Sequence, residues 1–168
     1  MQQGHKGGFF CLRSLWPSCP CCEICLRLCV LASDSLGLVA VNKADLSEVY
    51  RGYIACLNRQ DWSSLDRFVD GNVSRNGQEI RLSGYREMLE RDFYEIPDLH
   101  FNIQLLVADP PYLASRLSFD CTPKGMFLGL LVNGKRVSFT ENVFYEFREG
   151  KIVQVWSVVD KAAIEAQL

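Results

Sequence analysis

From residue 42 onward the chain carries two hydrophobic periods in succession, helical first and then stranded. Leu46, Val49, Tyr50, Tyr53, Ile54 and Leu57 recur at spacings of three and four, the apolar stripe of an amphipathic helix. Asp61 predicts the N-cap of a short second helix over Trp62–Val69, with Leu65, Phe68 and Val69 inward. A short strand over Asn72–Arg75 ends at Asn76-Gly77, a turn pair. Ser83 predicts the cap of a third helix carrying Tyr85, Met88, Leu89 and Phe93, which Pro97 stops.

Beyond Pro97 the period is 2. Phe101, Ile103, Leu105 and Val107 alternate with Asn102 and Gln104, which predicts a half-buried strand. Asp109-Pro110-Pro111 is a turn, after which Leu113, Ser115, Leu117 and Phe119 share one face of the next strand. Asn133-Gly134 precedes a long strand from Lys135 to Phe147, and Arg148-Glu149-Gly150 closes a hairpin onto a last strand, Lys151–Val159. The tail from Lys161 to Leu168 reads as a short helix or ordered arm. Helices first and antiparallel strands afterwards predict an α+β domain, its N-terminal helices packed on a curved, mostly antiparallel sheet with room for a pocket between them.

Residues 1–41 follow neither period, so the expected organisation is a flexible cysteine-rich leader over 1–41 and one folded domain over 42–168. Six of the eight cysteines fall in the first thirty residues, unlike a disulfide framework spread through a small secreted fold. Cys22-x-x-Cys25 is half of a zinc site, but no second pair follows at the required spacing, and no metal is expected. The apolar stretch is interrupted by Arg13, Pro17, Pro20, Glu23 and Arg27, which leaves neither a clean secretory segment nor a membrane span. Ile24 to Val41 is its most apolar part, suited to a surface or to acylation. The domain itself, with Cys56 and Cys121 alone, reads as reduced and cytoplasmic.

A composition of 48% hydrophobic and 23% charged residues is that of a globular protein. The net charge of −2 supplies no basic footprint for nucleic acid and no polybasic membrane patch, so a small molecule is the expected partner.

The long strand carries the most chemistry. One face reads Val137, Phe139, Glu141, Val143, Tyr145 and Phe147, which sets a carboxylate among apolar side chains. Burying it ionised and alone would cost several kcal/mol, so it must be paired, raised in pKa, or wet. A raised pKa is how a general acid or base is made; an ion pair with arginine, or an outward face at a dimer interface, are the structural alternatives. The hairpin decides what stands beside Glu141. A two-residue Glu149-Gly150 turn pairs it with Val158 and puts Trp156 on its side. A three-residue loop pairs it with Ser157 and aligns the two apolar faces, which favours this second register. Arg75 and Arg116 are the cations able to answer Glu141 or to stabilise an enolate oxygen. His100, beside Asp98, reads as a surface residue, and no histidine near Ser157 equips it as a nucleophile.

Residues 46–168 resemble the SnoaL-like polyketide cyclases, also called ester cyclase-like, of the NTF2-like superfamily. Asn76-Gly77 with Gly84-Tyr85 resembles the family's HNG…GY stretch, and Cys121 to Gly129 resembles GTHxGxFxG. Gly150-Lys151-Ile152, Trp156, Asp160 and Gln167-Leu168 resemble the closing GKIxxxWxxxD…QL. The resemblance implies a cone-shaped α+β barrel, a homodimer, and ring closure by intramolecular aldol condensation without metal or organic cofactor. Relatives in the superfamily are isomerases and dehydratases. Three positions depart from the pattern: Ser157 stands where cyclases carry their acid/base aspartate, Arg75 where the histidine of HNG stands, and Val143 at a histidine-like position.

The expected function is therefore cofactor-independent acid–base chemistry on an apolar polyketide- or terpenoid-like carbonyl compound. Glu141 is the base, Arg75 or Arg116 its electrostatic partner, and Asp160 a fallback carboxylate. Ser157, Tyr53, Asn76, Phe139, Val143, Tyr145, Val155 and Trp156 are the expected pocket. The competing expectation is a binding or assembly protein with the same cavity and no catalysis.

Overall fold

The computed structural model describes residues 43–168. The leader, its Cys22-x-x-Cys25 step and the apolar run from Ile24 to Val41 lie outside the described residues.

Helix α1 (Lys43–Asn58) buries Leu46, Tyr50, Tyr53, Ile54 and Leu57, the stripe its spacing predicts. A 3-10 helix (Trp62–Arg67) follows, with Asp61 at its N-cap position. The Asp61 carboxylate makes no cap bond; it accepts from the Ser63 hydroxyl at 2.7 Å. The expected helix to Val69 is two residues too long, because Val69 already pairs with Ile152.

Strand β1 (Val69–Arg75) turns through Asn76 and Gly77, both at positive φ (48° and 81°), into the two-residue β2 (Gln78–Glu79). Helix α2 (Arg81–Glu95) buries Tyr85, Leu89 and Phe93. Its N-cap position is Ile80, not Ser83, which lies inside the helix. The reason is backbone pairing: the Ile80 amide donates to the Val73 carbonyl at 3.1 Å, fixing the helix start against β1.

Strands β3 (Asn102–Asp109) and β4 (Tyr112–Cys121) form a hairpin with one irregularity. Ile103 lies opposite Leu117 but Leu105 lies opposite Arg116, so one extra residue is accommodated at Gln104. Past it the faces exchange. Leu106 and Ala108 pack on the core, while Leu105 and Val107, expected inside, are 57% and 54% exposed.

A small hairpin, β5 (Met126–Phe127) and β6 (Leu130–Leu131), leads to β7 (Val137–Arg148), which pairs with β4 along its length, from Val137 with Cys121 to Glu146 with Tyr112. β8 (Lys151–Val159) returns beside β7, and α3 (Lys161–Glu165) ends the chain's regular structure. Gln167 fastens this tail: its side chain accepts from the Ser138 amide at 2.9 Å and donates to the Ser138 carbonyl at 2.7 Å.

Six of the eight described strands form one sheet in the order β2-β1-β8-β7-β4-β3, antiparallel except where β1 meets β8, and β5 and β6 pair apart from it. The fold is α+β as expected, with helices on a curved, mostly antiparallel sheet whose two edges are β2 and β3, so that the cone is open rather than closed among the described residues. No described helix is long and apolar enough to cross a membrane.

Candidate active site

The β7–β8 hairpin resolves the register in a way that neither expected pairing captured. Arg148 pairs with Lys151 across a two-residue Glu149-Gly150 turn whose residues have φ of 50° and 76°. Phe147 pairs with Ile152, then Glu146 pairs with Gln154, so Val153 is an extra residue. The bulge shifts every later residue by one. Glu141 consequently lies opposite Val159, Val143 opposite Ser157, and Tyr145 opposite Val155. The turn is the shorter one, yet Ser157 still arrives on the face of Glu141. Trp156 points the other way and is 40% exposed on the outer face, which removes it from the expected pocket.

Glu141 is held in an apolar setting, and burial pushes its pKa above the ordinary carboxylate value. A hydrogen bond from Ser157 and the charge of Arg75 offset part of that rise. Arg75, the last residue of β1, donates from Nη2 to the Ser157 Oγ at 2.9 Å and makes no direct ion pair with Glu141. Ser157 thus stands between guanidinium and carboxylate. The neighbouring Asn76 fixes its backbone, accepting from the Ser157 amide at 2.9 Å and donating to its carbonyl at 3.4 Å. The turn pair and the penultimate stretch of β8 are one unit in space.

A cavity of about 190 Å³ opens between α2 and this end of the sheet. Glu141, Arg75 and Phe139 line it from the sheet, and Phe139 stacks on Phe119 with ring centroids 5.0 Å apart. From α2 comes a residue that sequence reasoning missed, Asp92. Burial pushes the Asp92 carboxyl up to about 6; Arg75 draws it down and Glu141 drives it up. The signal for it was present: Tyr85, Met88, Leu89, Asp92 and Ile96 recur at three and four on the buried side of α2. A carboxylate on an apolar helical stripe carries the same meaning as one on an apolar strand face.

Other expected members lie elsewhere. Tyr53, on α1, and Val143, Tyr145 and Val155, on the sheet, are buried and do not line the cavity. Tyr53 instead shares a 2.8 Å hydrogen bond with the Tyr85 hydroxyl. Arg116 is on the outer face of the sheet, donating to Gln104 at 2.9 Å and to Asn142 at 3.2 Å, because β4 parity opposes it to Asn142. Asp160 caps α3, accepting from the Ala163 amide at 3.0 Å, and is exposed. Neither lines the cavity. His100 is exposed and bonded to Asn102, as expected.

Chemically, the arrangement offers two carboxyls of elevated pKa, one guanidinium, a hydroxyl between them and an aromatic wall. Such a set can remove a proton from carbon, stabilise the resulting oxyanion and return a proton to oxygen.

Comparison with known proteins gives the same family as the motifs. The family described as SnoaL-like polyketide cyclase matches residues 47–168. A SnoaL-like polyketide cyclase from Agrobacterium tumefaciens, of known crystal structure, is 54% identical, with a TM-score of 0.72 over 73% of this chain and 96% of that one. TsrD from Streptomyces laurentii is 20% identical, with a TM-score of 0.67 over 75% of this chain and 96% of that one. IdmH from Streptomyces antibioticus is 19% identical, with a TM-score of 0.64 over 73% and 96% of the two chains. At those identities the last two share the fold. No curated protein matches the chain.

Proposed function

The chain belongs to the SnoaL-like polyketide cyclase family, and on that premise we propose that the cavity under α2 is a cofactor-independent acid–base active site for a polyketide- or terpenoid-like carbonyl compound. The observation that carries the reading is the convergence of two carboxyls, Glu141 from β7 and Asp92 from α2, both raised by burial, on one cavity of about 190 Å³.

Ionised Glu141 takes a proton from the carbon next to a carbonyl. The C–H electron pair moves to the carbonyl oxygen, whose charge Arg75 offsets. The enolate carbon then attacks a second carbonyl of the same molecule, and the alkoxide so formed takes the proton of Asp92. Solvent returns the proton from Glu141 to Asp92. The product is an isomer of the substrate, and a dehydratase or isomerase would use the same first step. Division of labour follows the environments: Asp92, near 6, is partly protonated at neutral pH and suits the donor's role.

The test is exchange of ketone α-protons for deuterium, followed by proton NMR on methyl 3-benzoylpropanoate. Glu141→Gln should slow exchange at least about a hundredfold while leaving ester binding intact. Ser157 in place of the family's aspartate favours a second reading, a cavity that binds without catalysis. Wild-type exchange no faster than in buffer alone would select it, and unchanged exchange in Glu141→Gln would remove Glu141 as the base.

A homodimer is part of the same proposal. Leu105, Val107, Phe144, Trp156 and Val158 are all exposed on the outer face of the sheet, and clustered exposed apolar side chains mark association surfaces. Sedimentation equilibrium should return twice the 19.1 kDa chain mass, and Val158→Lys should halve it. A cytoplasmic, reducing location is part of the proposal too, and the free, buried Cys56 and Cys121 support it.

A further inference from the structure

The cavity is smaller than the 300 Å³ or more that usually encloses a drug-sized ligand. It holds the reacting end of a substrate and leaves the remainder outside. An open groove of about 550 Å³ adjoins it, sharing Arg75 and Met88 as a common wall. We propose that this groove is an anion-binding subsite, and that the substrate is a carbonyl compound bearing a carboxylate.

Arg75 and Asn76 enter the groove from the end of β1, and Gln78 from β2. Gly84, Met88 and Arg91 enter from α2, at spacings of four and three that put them on one helix face. Two guanidiniums and two side-chain amides therefore converge, and no carboxylate is among the described residues lining the groove. In a chain of net charge −2, this is a local reversal of sign.

Both arginines have donors to give. Arg75 commits Nη2 to Ser157, and a guanidinium carries five N–H donors. Arg91 is exposed and makes no ion pair among the described residues. The helix also separates the two charges that adjoin in sequence. Arg91 faces the groove, while Asp92, one residue later, faces the cavity. A carboxylate accepts paired N–H bonds from such forks. Held there, a ligand's tail fixes how far its carbonyl reaches past Arg75 toward Glu141 and Asp92. Gly84 contributes no side chain to the groove, which keeps it open.

The inference rests on the proton-transfer reading for the carbonyl end alone; anion binding stands or falls by itself. The experiment titrates the full chain with 3-benzoylpropanoate and with its methyl ester at low salt, measuring dissociation constants. The acid should bind about tenfold tighter than the ester, and added salt should shrink the preference. Arg91→Gln should weaken the acid about fivefold to tenfold and leave the ester unchanged. An ester that binds as tightly as the acid overturns the inference, as does a preference that survives in Arg91→Gln. Binding of neither probe overturns it too. Ester α-proton exchange separates the two readings. Exchange with no acid preference sinks the subsite alone. An acid preference lost in Arg91→Gln, without exchange in the wild type, supports the subsite and sinks proton transfer.

Discussion

The inner face of β7 has two halves that the same alternation built and that behave differently. From Val143 to Phe147 it lies under α1, where Tyr145 meets Tyr50 and Tyr53 with ring centroids 5.1 and 6.2 Å away. From Val137 to Glu141 it approaches α2 and opens into the cavity. Both halves contain buried titratable groups. In the packed half they are tyrosines, and burial pushes Tyr50 and Tyr85 up to about 12 and Tyr53 and Tyr145 well above the ordinary value. All four stay neutral at any physiological pH; the Tyr53 and Tyr85 hydroxyls bond each other, while the Tyr50 hydroxyl is buried without a hydrogen-bond partner among the described residues. In the cavity half the groups are carboxyls, which burial lifts toward neutrality without keeping them neutral. A buried phenol makes a stable wall, whereas a buried carboxyl makes a proton carrier and destabilises the fold that holds it.

The sharpest way to break this contrast is Tyr50→Ala, which removes a fully buried ring from the packed half. It should cost about 3–5 kcal/mol, read as a lower midpoint in urea unfolding; a loss below 1 kcal/mol would mean that this half is not the stabilising one.

Asp92→Asn should act in the opposite sense. With its folded pKa near 6 against 3.8 unfolded, Asp92 binds its proton more tightly in the native state. Stability therefore falls as pH rises from about 4 to about 6 and is level above, by on the order of 2–3 kcal/mol. Raised Glu141 adds to the same slope. Asp92→Asn should flatten it, gain stability at pH 7–8 and lose activity. Urea melts from pH 4 to pH 8 read the first two effects. A wild-type slope of the other sign would mean that Asp92 is ionised and paired.

Tyr53→Phe leaves the Tyr85 hydroxyl without its 2.8 Å partner and should cost about 1–2 kcal/mol. Its pH profile should match the wild type, which distinguishes the packed half from the cavity half at a single oxygen. The smallest expected effect is that of Gly84→Ala. A Cβ there would meet the Ile80 Cβ at 3.6 Å, an ordinary contact, so helix propensity should raise stability by about 0.5–1 kcal/mol. The added methyl narrows the groove without touching the cavity.

Much of the fold was legible because local rules agree with tertiary demands. The stripe of α1, the alternation of β4 and β7, and the Asn76-Gly77, Asn133-Gly134 and Glu149-Gly150 turns formed where their residue types predict. What failed was the start of α2, read from Ser83, and the inward face of β3 beyond Gln104. A helix start fixed by an Ile80–Val73 backbone bond and a strand bulge fixed by its neighbour leave no mark in composition or period.

The candidate site divides along the same line. A carboxylate at Glu141 on an apolar strand face, an arginine before Asn76-Gly77 and the outline of the family were readable from residue types alone, since alternation and turn chemistry act over a few residues. The sequence also determined that Asp92 lies on the buried side of its helix. Only the tertiary structure brought α2 over β7, set Asp92 and Glu141 on one cavity, and moved Arg116, Trp156 and Asp160 away from it. The physical reason is register. One extra residue at Val153 decides which face of β8 joins Glu141, and that residue is accommodated by pairing with a strand rather than by anything in its own sequence.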